Sequence, residues 1–265
     1  VPPCSGGEGA TPVPYKDHFS RQAQEYARHR PRYPSALFDY LASLTPEHTL
    51  AWDCGTGNGQ AAVELARHYE RVVATDASAD QIARAFEHQR VEYRVEQAEA
   101  ASFEPASVDL ITVAQAVHWF DHDVFYAIVR RVLKPGGVLA VWTYHLPRIA
   151  PAVDDLLYEY YAVVLDGYWP AGFEYIHDQY RTLPFPFDEI EPPPFFMTAD
   201  WSLEHLLGFL ESWSATQSYR VRTGSDPINA IRARLLQAWG EPAEVRPASW
   251  PLTVRVGRLA HADRA

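Results

Sequence analysis

Cysteine, cationic side chains and long apolar runs are all scarce in this chain, and each scarcity excludes something. Among 265 residues there are 2 cysteines, Cys4 near the start and Cys54 inside a glycine-rich loop. Neither a disulfide framework nor a cysteine-based zinc site can be built from that, and a reducing, cytoplasmic setting is expected. Lys and Arg number 23 against 34 Asp and Glu, a formal net charge of −11 at pH 7, with no Lys/Arg-rich run. Sequence-independent nucleic-acid binding, which depends on cations neutralising phosphates, is excluded on that count. Nowhere do about eighteen apolar residues run together, so no membrane association is expected. The opening VPPCSGGEGATPVP has neither the basic region nor the apolar stretch of a secretion signal, and residues 1–14 read as a flexible leader.

Aromatic residues and proline are plentiful: 8 Trp, 15 Tyr and 21 Pro suit a pocket with stiff, ring-lined walls. The length suits a single domain over 15–265 with a substantial core. Helical periodicity starts near Asp17, with Phe19, Ala23, Tyr26 and Ala27 on one face. RPRYP (30–34) breaks it, and a second helix is expected from an N-cap at Ser35 to Leu44. Preceding the sheet, the helices of 15–47 are placed as a lid over its ligand edge.

From there strands and helices alternate. Strands are expected at 49–53, 71–75, 91–95, 108–113 and 138–143, and helices at 59–68, 79–87 and 122–132. This predicts an α/β, Rossmann-like, doubly wound and mostly parallel sheet over 48–144, whose ligands bind beyond the carboxyl ends of the strands. A helical insertion and cap follows over 145–240. It contains a helix in VDDLLYEYYAVVL, a strand in PPPFFMTADW, a helix capped by Ser202, and another opened by Asp226 with Pro227. A closing strand is expected within 241–265.

The chemistry begins at AWDCGTGNGQ (51–60), where strand one passes into a helix. Gly55, Gly57 and Gly59 permit positive φ and close approach of a ligand to the backbone. A dinucleotide loop uses the same device, and GNGQAA fits its looser form. Asp53 favours another ligand, since a carboxylate facing the loop repels pyrophosphate and attracts an ammonium or sulfonium. Asp76, ending the next strand, has the spacing at which an acid grips ribose hydroxyls.

Together with LKPGGVLAVW (133–142), these features resemble the class I S-adenosylmethionine-dependent methyltransferases that share the type 11 methyltransferase domain. The resemblance implies S-adenosyl-L-methionine as cofactor. Gly55, Gly57 and Gly59 would pass its methionine part, Asp53 would lie near its ammonium, and Asp76 would hold the ribose diol. Ala77, Gln97 and Ala98 would lie toward the adenine, although EQAEA departs from the family's usual glycine there. Gln115 would line the methionine end. Tyr26 and Arg30, with Tyr33, are candidates to close over the cofactor, Arg30 by pairing with its carboxylate.

AQAVHWFD (114–121), RPRYP and WSATQSYRVRTGSDP (213–227) resemble the branch that includes the trans-aconitate methyltransferases. His118 is the candidate catalytic residue, with three open roles: general base, orienter of a carboxylate, or fixer of its own loop. Trp119 and Phe120 are read as wall or core. His118, Asp121 and His122 suggest a metal site, but Asp121 is better explained as an N-cap, and no metal is expected. Trp142, Tyr144, Tyr168, Trp169, Trp213 and Tyr219 are candidate walls of an acceptor pocket, and Arg181, Arg220 and Arg222 candidate carboxylate ligands. The expected activity is O-methylation of a small-molecule carboxylate or hydroxyl by a monomer or homodimer. S- or N-methylation, or cofactor-bound cyclisation or elimination, are the alternatives.

Overall fold

The computed structural model describes residues 31–259. The first expected lid helix, with Tyr26 and Arg30, lies outside the described residues. Helix α1 (Ser35–Ser43) follows Pro34, which takes the N-cap position expected of Ser35. Leu37, Phe38, Leu41 and Ala42 form its buried face and pack with Leu65 and Trp142 against the sheet. It is therefore a core helix and not a lid, because its apolar stripe is satisfied by the sheet face. Among the described residues ahead of it, Pro31 and Tyr33 reach the ligand edge.

The strands are β1 (Leu50–Cys54), β2 (Arg71–Asp76), β3 (Val91–Val95), β4 (Val108–Ala114), β5 (Leu133–Tyr144), β6 (Asp188–Ile190), β7 (Phe195–Trp201) and β8 (Arg246–Arg258). They form one sheet in the order β3-β2-β1-β4-β5-β8-β6, with β7 also on β8. The first five pair in parallel, and β8 runs antiparallel to β5, β6 and β7. Side chains of β5 alternate between two buried layers: Val138, Ala140 and Trp142 face α1, while Leu139 and Val141 face the opposite core. That accounts for the nearly unbroken apolar run, as expected of a strand covered on both faces. Lys134–Gly137 bulge out where the β4–β5 register shifts, and Gly136 has φ +84° there.

Helices α2 (Gln60–Leu65) and α3 (Ala79–Ile82) are shorter than expected, and α4 (His122–Val132) has the expected bounds. The chain beyond Ile82 leaves the helix, and Phe86 N donates to Asn58 O at 3.0 Å, tying that segment to the glycine loop. The cap adds α5 (Pro151–Glu159), running into a π-helical turn Tyr160–Val164, then α6 (Phe173–His177), α7 (Leu203–Glu211), α8 (Ser214–Thr223) and α9 (Arg232–Trp239). Asp226 caps a 3₁₀ turn, Pro227–Ala230, before α9 rather than α9 itself. Helices α5, α7 and α9 pack with β7 and β8 around Trp201, Trp213 and Trp250 as a second core, while Ile176 of α6 joins the core around Trp52 and Phe125. Strand β6 and helices α6 and α8 carry no clear periodicity in the sequence. Among the described residues, no helix is long and apolar enough to cross a membrane.

Candidate functional site

Two cavities meet at the carboxyl ends of the parallel strands. The first is lined by Gly55, Thr56, Gly57, Asn58 and neighbouring side chains, and Tyr144 at the end of β5 lines both.

Gly55, Gly57 and Gly59 all have positive φ, at +68°, +57° and +87°. Each has its own reason to be glycine. A Cβ on Gly55 would collide with Ala116, one on Gly59 with the Tyr93 ring, and one on Gly57 would meet only open space. Gly57 is thus the point where a ligand approaches bare backbone. Asp53 is fully buried beneath the loop, accepting from Thr56 Oγ1 at 2.5 Å and Thr112 Oγ1 at 2.8 Å. Its carboxyl does not line the cavity, so its charge acts from below the loop and not by direct contact. Burial outweighs those two hydrogen bonds and pushes its pKa up to about 6, with Asp76 adding to the rise. Asp76 accepts from Gly57 N and Ser78 N, both at 2.8 Å, which fixes the loop to the end of β2. Ala77 and Gln97 are exposed at that same edge, while Ala98 is buried in the core layer that contains Trp52.

The second cavity is lined by rings. Trp169 stacks on Phe173 at 4.8 Å between centroids and meets Tyr161 at 4.6 Å and Trp213 at 5.5 Å. Its polar members include His118, His145 and Gln115. Gln115, at φ +55°, has both ends of its amide occupied: Nε2 donates to Tyr144 O and Oε1 accepts from Thr143 Oγ1. It braces β5 and lines the ring-walled cavity, where the cofactor side had been expected. His118 is buried with Nδ1 2.9 Å from the Tyr180 hydroxyl. Burial, reinforced by His122, lowers its pKa to about 3. His145 follows Tyr144, lies edge-on to Tyr161 at 4.5 Å, and has a buried Nε2 without a hydrogen-bond partner. Burial, helped by His177, lowers its pKa to about 4. Both rings are neutral at pH 7.

Several expected wall residues are elsewhere. Trp142 is a core residue, edge-on to Tyr33 and Phe38. Tyr168 and Tyr219 pack on each other at 4.6 Å outside the cavity lining. Arg181 pairs with Asp178, Arg220 with Asp226, and Arg222 with Gly167 O and the Tyr168 ring. Among the described residues, no Lys or Arg lines either cavity. Phe120 packs on Phe125 under Gly55. Asp121 caps α4 through Val124 N, and His122 Nε2 donates to Val117 O at 3.0 Å. His145, Tyr161, Phe173 and Tyr180 were not anticipated. His145 had a signal in its place next to Tyr144, whereas Tyr180 has none, being 62 residues from His118.

Known proteins share this fold. The family model described as "Methyltransferase domain" matches residues 52–141. A Dictyostelium discoideum protein named as a methyltransferase is 34% identical over 86% of this chain and 89% of its own length. The structure of a type II methyltransferase from Anaeromyxobacter dehalogenans is 45% identical, with a TM-score of 0.81 over 88% of this chain and 99% of that one. A Bacillus halodurans methyltransferase structure, 20% identical with a TM-score of 0.51, shares the fold. The chain belongs to the class I methyltransferase family, on the Rossmann-like fold of its S-adenosylmethionine-dependent members.

Proposed function

We propose that the protein transfers the methyl group of S-adenosyl-L-methionine to a carboxylate or hydroxyl oxygen of a small, largely apolar acceptor. The observation that carries this reading is the sharing of Tyr144 by the glycine-loop cavity and the ring-walled cavity, so that a ligand in each would lie against one wall. The first cavity suits a phosphate-free, cationic ligand. It offers bare backbone at Gly57, a buried carboxyl below it at Asp53, a second carboxyl at Asp76 bonded to Gly57 N at the loop's edge, within reach of ribose hydroxyls in this reading, and, among the described residues, no lining cation that a pyrophosphate would need. Gly55 and Gly59 border the methionine part in this reading and Ala77 and Gln97 the adenine side, with Ala98 in the core behind them; Tyr26 and Arg30 lie outside the described residues.

Held at the glycine loop, the cofactor would supply an activated methyl group, its C–S bond breaking with the electron pair kept by sulfur as the acceptor oxygen bonds to the carbon. What remains for this chain is alignment and exclusion of water. Trp169, Phe173 and Trp213 suit a flat acceptor body, and Tyr144 and Gln115 close the cavity where the two ligands meet. Neither histidine has the proton affinity of a base matched to neutral pH. That favours a carboxylate, ionised before it arrives and in need of no base, over a hydroxyl.

Calorimetric titration with S-adenosylhomocysteine, against NAD as control, tests the first cavity; binding of the first alone is expected. Label from methyl-tritiated S-adenosylmethionine should then pass to members of a panel of planar carboxylic acids. Binding of NAD, or of neither ligand, ends the reading.

A further inference from the structure

His118 occupies the turn Val117–Trp119 after β4, with the rings of Trp119 and Phe173 against it. His122 and Tyr180 are the titratable groups nearest to it. Its Nδ1 is turned to the Tyr180 hydroxyl at 2.9 Å, so Nε2 is the nitrogen left to the cavity that His118 lines. Tyr180 is fully buried, and burial raises its pKa far above that of a free phenol, so the hydroxyl keeps its proton. A buried hydroxyl that does not donate leaves that proton unsatisfied, at a cost comparable to a lost hydrogen bond.

Two polarities are available. In one, Tyr180 donates to His118 Nδ1 and the ring proton resides on Nε2. In the other, Tyr180 donates to Thr143, which lies beside it, and His118 Nδ1–H donates to Tyr180. A phenol is a more acidic donor than an imidazole N–H, and an sp² imidazole nitrogen is a stronger acceptor than an alcohol oxygen. The 2.9 Å contact joins the better donor to the better acceptor. Thr143, meanwhile, spends its own proton on Gln115 Oε1 at 2.7 Å.

We propose that Tyr180 is a positioning residue whose hydroxyl, by donating to Nδ1, fixes His118 as the Nε2–H tautomer, so that the acceptor cavity presents an N–H donor there and not a base. The inference rests on the ring-walled cavity being the acceptor site. It turns the open choice among three roles for His118 into one: the ring holds an acceptor oxygen by one lone pair and takes no proton from it. The enzyme is then confined to acceptors that arrive ionised or that lose their proton directly to water.

The test begins with the free protein and needs no cofactor or acceptor. Long-range ¹H–¹⁵N correlation spectra of protein labelled with ¹⁵N-histidine distinguish the two tautomers at pH 7, and His118→Gln removes and so assigns the His118 signals. The expected result is one Nε2–H tautomer in the wild type, shifting toward the averaged pattern in Tyr180→Phe, which keeps the buried ring. An Nδ1–H tautomer in the wild type overturns the proposal, and so does a Tyr180→Phe spectrum unchanged at His118. With an acceptor in hand, His118→Gln, which restores an N–H but no base, should keep kcat within about tenfold of wild type, while His118→Ala loses about 10²-fold. Equal losses in both variants would restore the base. Absence of any turnover by the wild type would instead refute the methyltransfer reading and leave the spectroscopic result standing.

Discussion

The glycine loop and the ring-walled cavity share a wall yet are built by opposite means. Gly55, Gly57 and Gly59 follow one another along a single strand-to-helix turn, and each is fixed by a backbone dihedral or a neighbour that admits no Cβ. The lining of the other cavity comes from separate segments between residues 115 and 214, and what holds it is ring against ring. One site is written in local backbone constraint, the other in tertiary packing. The difference teaches where a substitution acts: on the chain's own conformation in the first, on a ligand's company in the second.

The sharpest way to break the contrast is Gly59→Val. With φ +87° and the Tyr93 ring where a Cβ would go, the substitution should cost about 2–4 kcal/mol of stability and abolish binding of S-adenosylhomocysteine. Thermal melts and calorimetry on the same sample read both effects. A melting temperature within a degree or two of wild type would mean that the loop is less constrained than its dihedrals say.

Next in size is Asp53→Asn. The folded protein holds this carboxyl at about pKa 6 against an ordinary 3.8, so between those values the native state binds more protons than the unfolded chain. Stability from this group is therefore full below pH about 4 and is lost as pH rises toward 6. The variant should be more stable than wild type at pH 7 by about 1–3 kcal/mol in urea melts, and lose that advantage at pH 4. The same ionisation should strengthen cofactor binding as pH rises through 6 in the wild type only.

In the ring-walled cavity effects should be smaller and fall on the ligand. His145→Phe fills the same space and removes the buried unpartnered nitrogen, so KM for the acceptor is expected to rise about tenfold with kcat nearly unchanged. A fall in kcat with KM constant would assign His145 to the chemical step instead. Smallest of all is Arg181→Ala: its partner Asp178 is a neighbour on the surface, so activity should stay within about twofold and the melting temperature within about 2 °C.

The same division governs what could be read in advance. β3 and α4 have the bounds their periodicity predicts, because apolar alternation and an Asp121 cap are local signals. The parallel order and the glycine loop follow from that alternation and from Asp53 and Asp76. Trp142 was misplaced because a tryptophan at a strand end is as good a core residue as a pocket wall, and only the position of Phe38 decides. The arginines were misjudged for a related reason: each found a carboxylate or carbonyl near at hand, and sequence does not reveal which cation has been claimed. Tyr180 was invisible, since its value lies wholly in the ring it touches from 62 residues away.

Strand β8 also sets an order of events during synthesis. β6 and β7 enter the sheet only through β8, and Arg148 bridges to Ser249 on that same strand, so every strand of the cap waits for the last one described. The five parallel strands can pair while the ribosome is still translating the cap. A chain extended only through β5 would thus carry the glycine loop at its strand ends while the opposite wall is still unassembled.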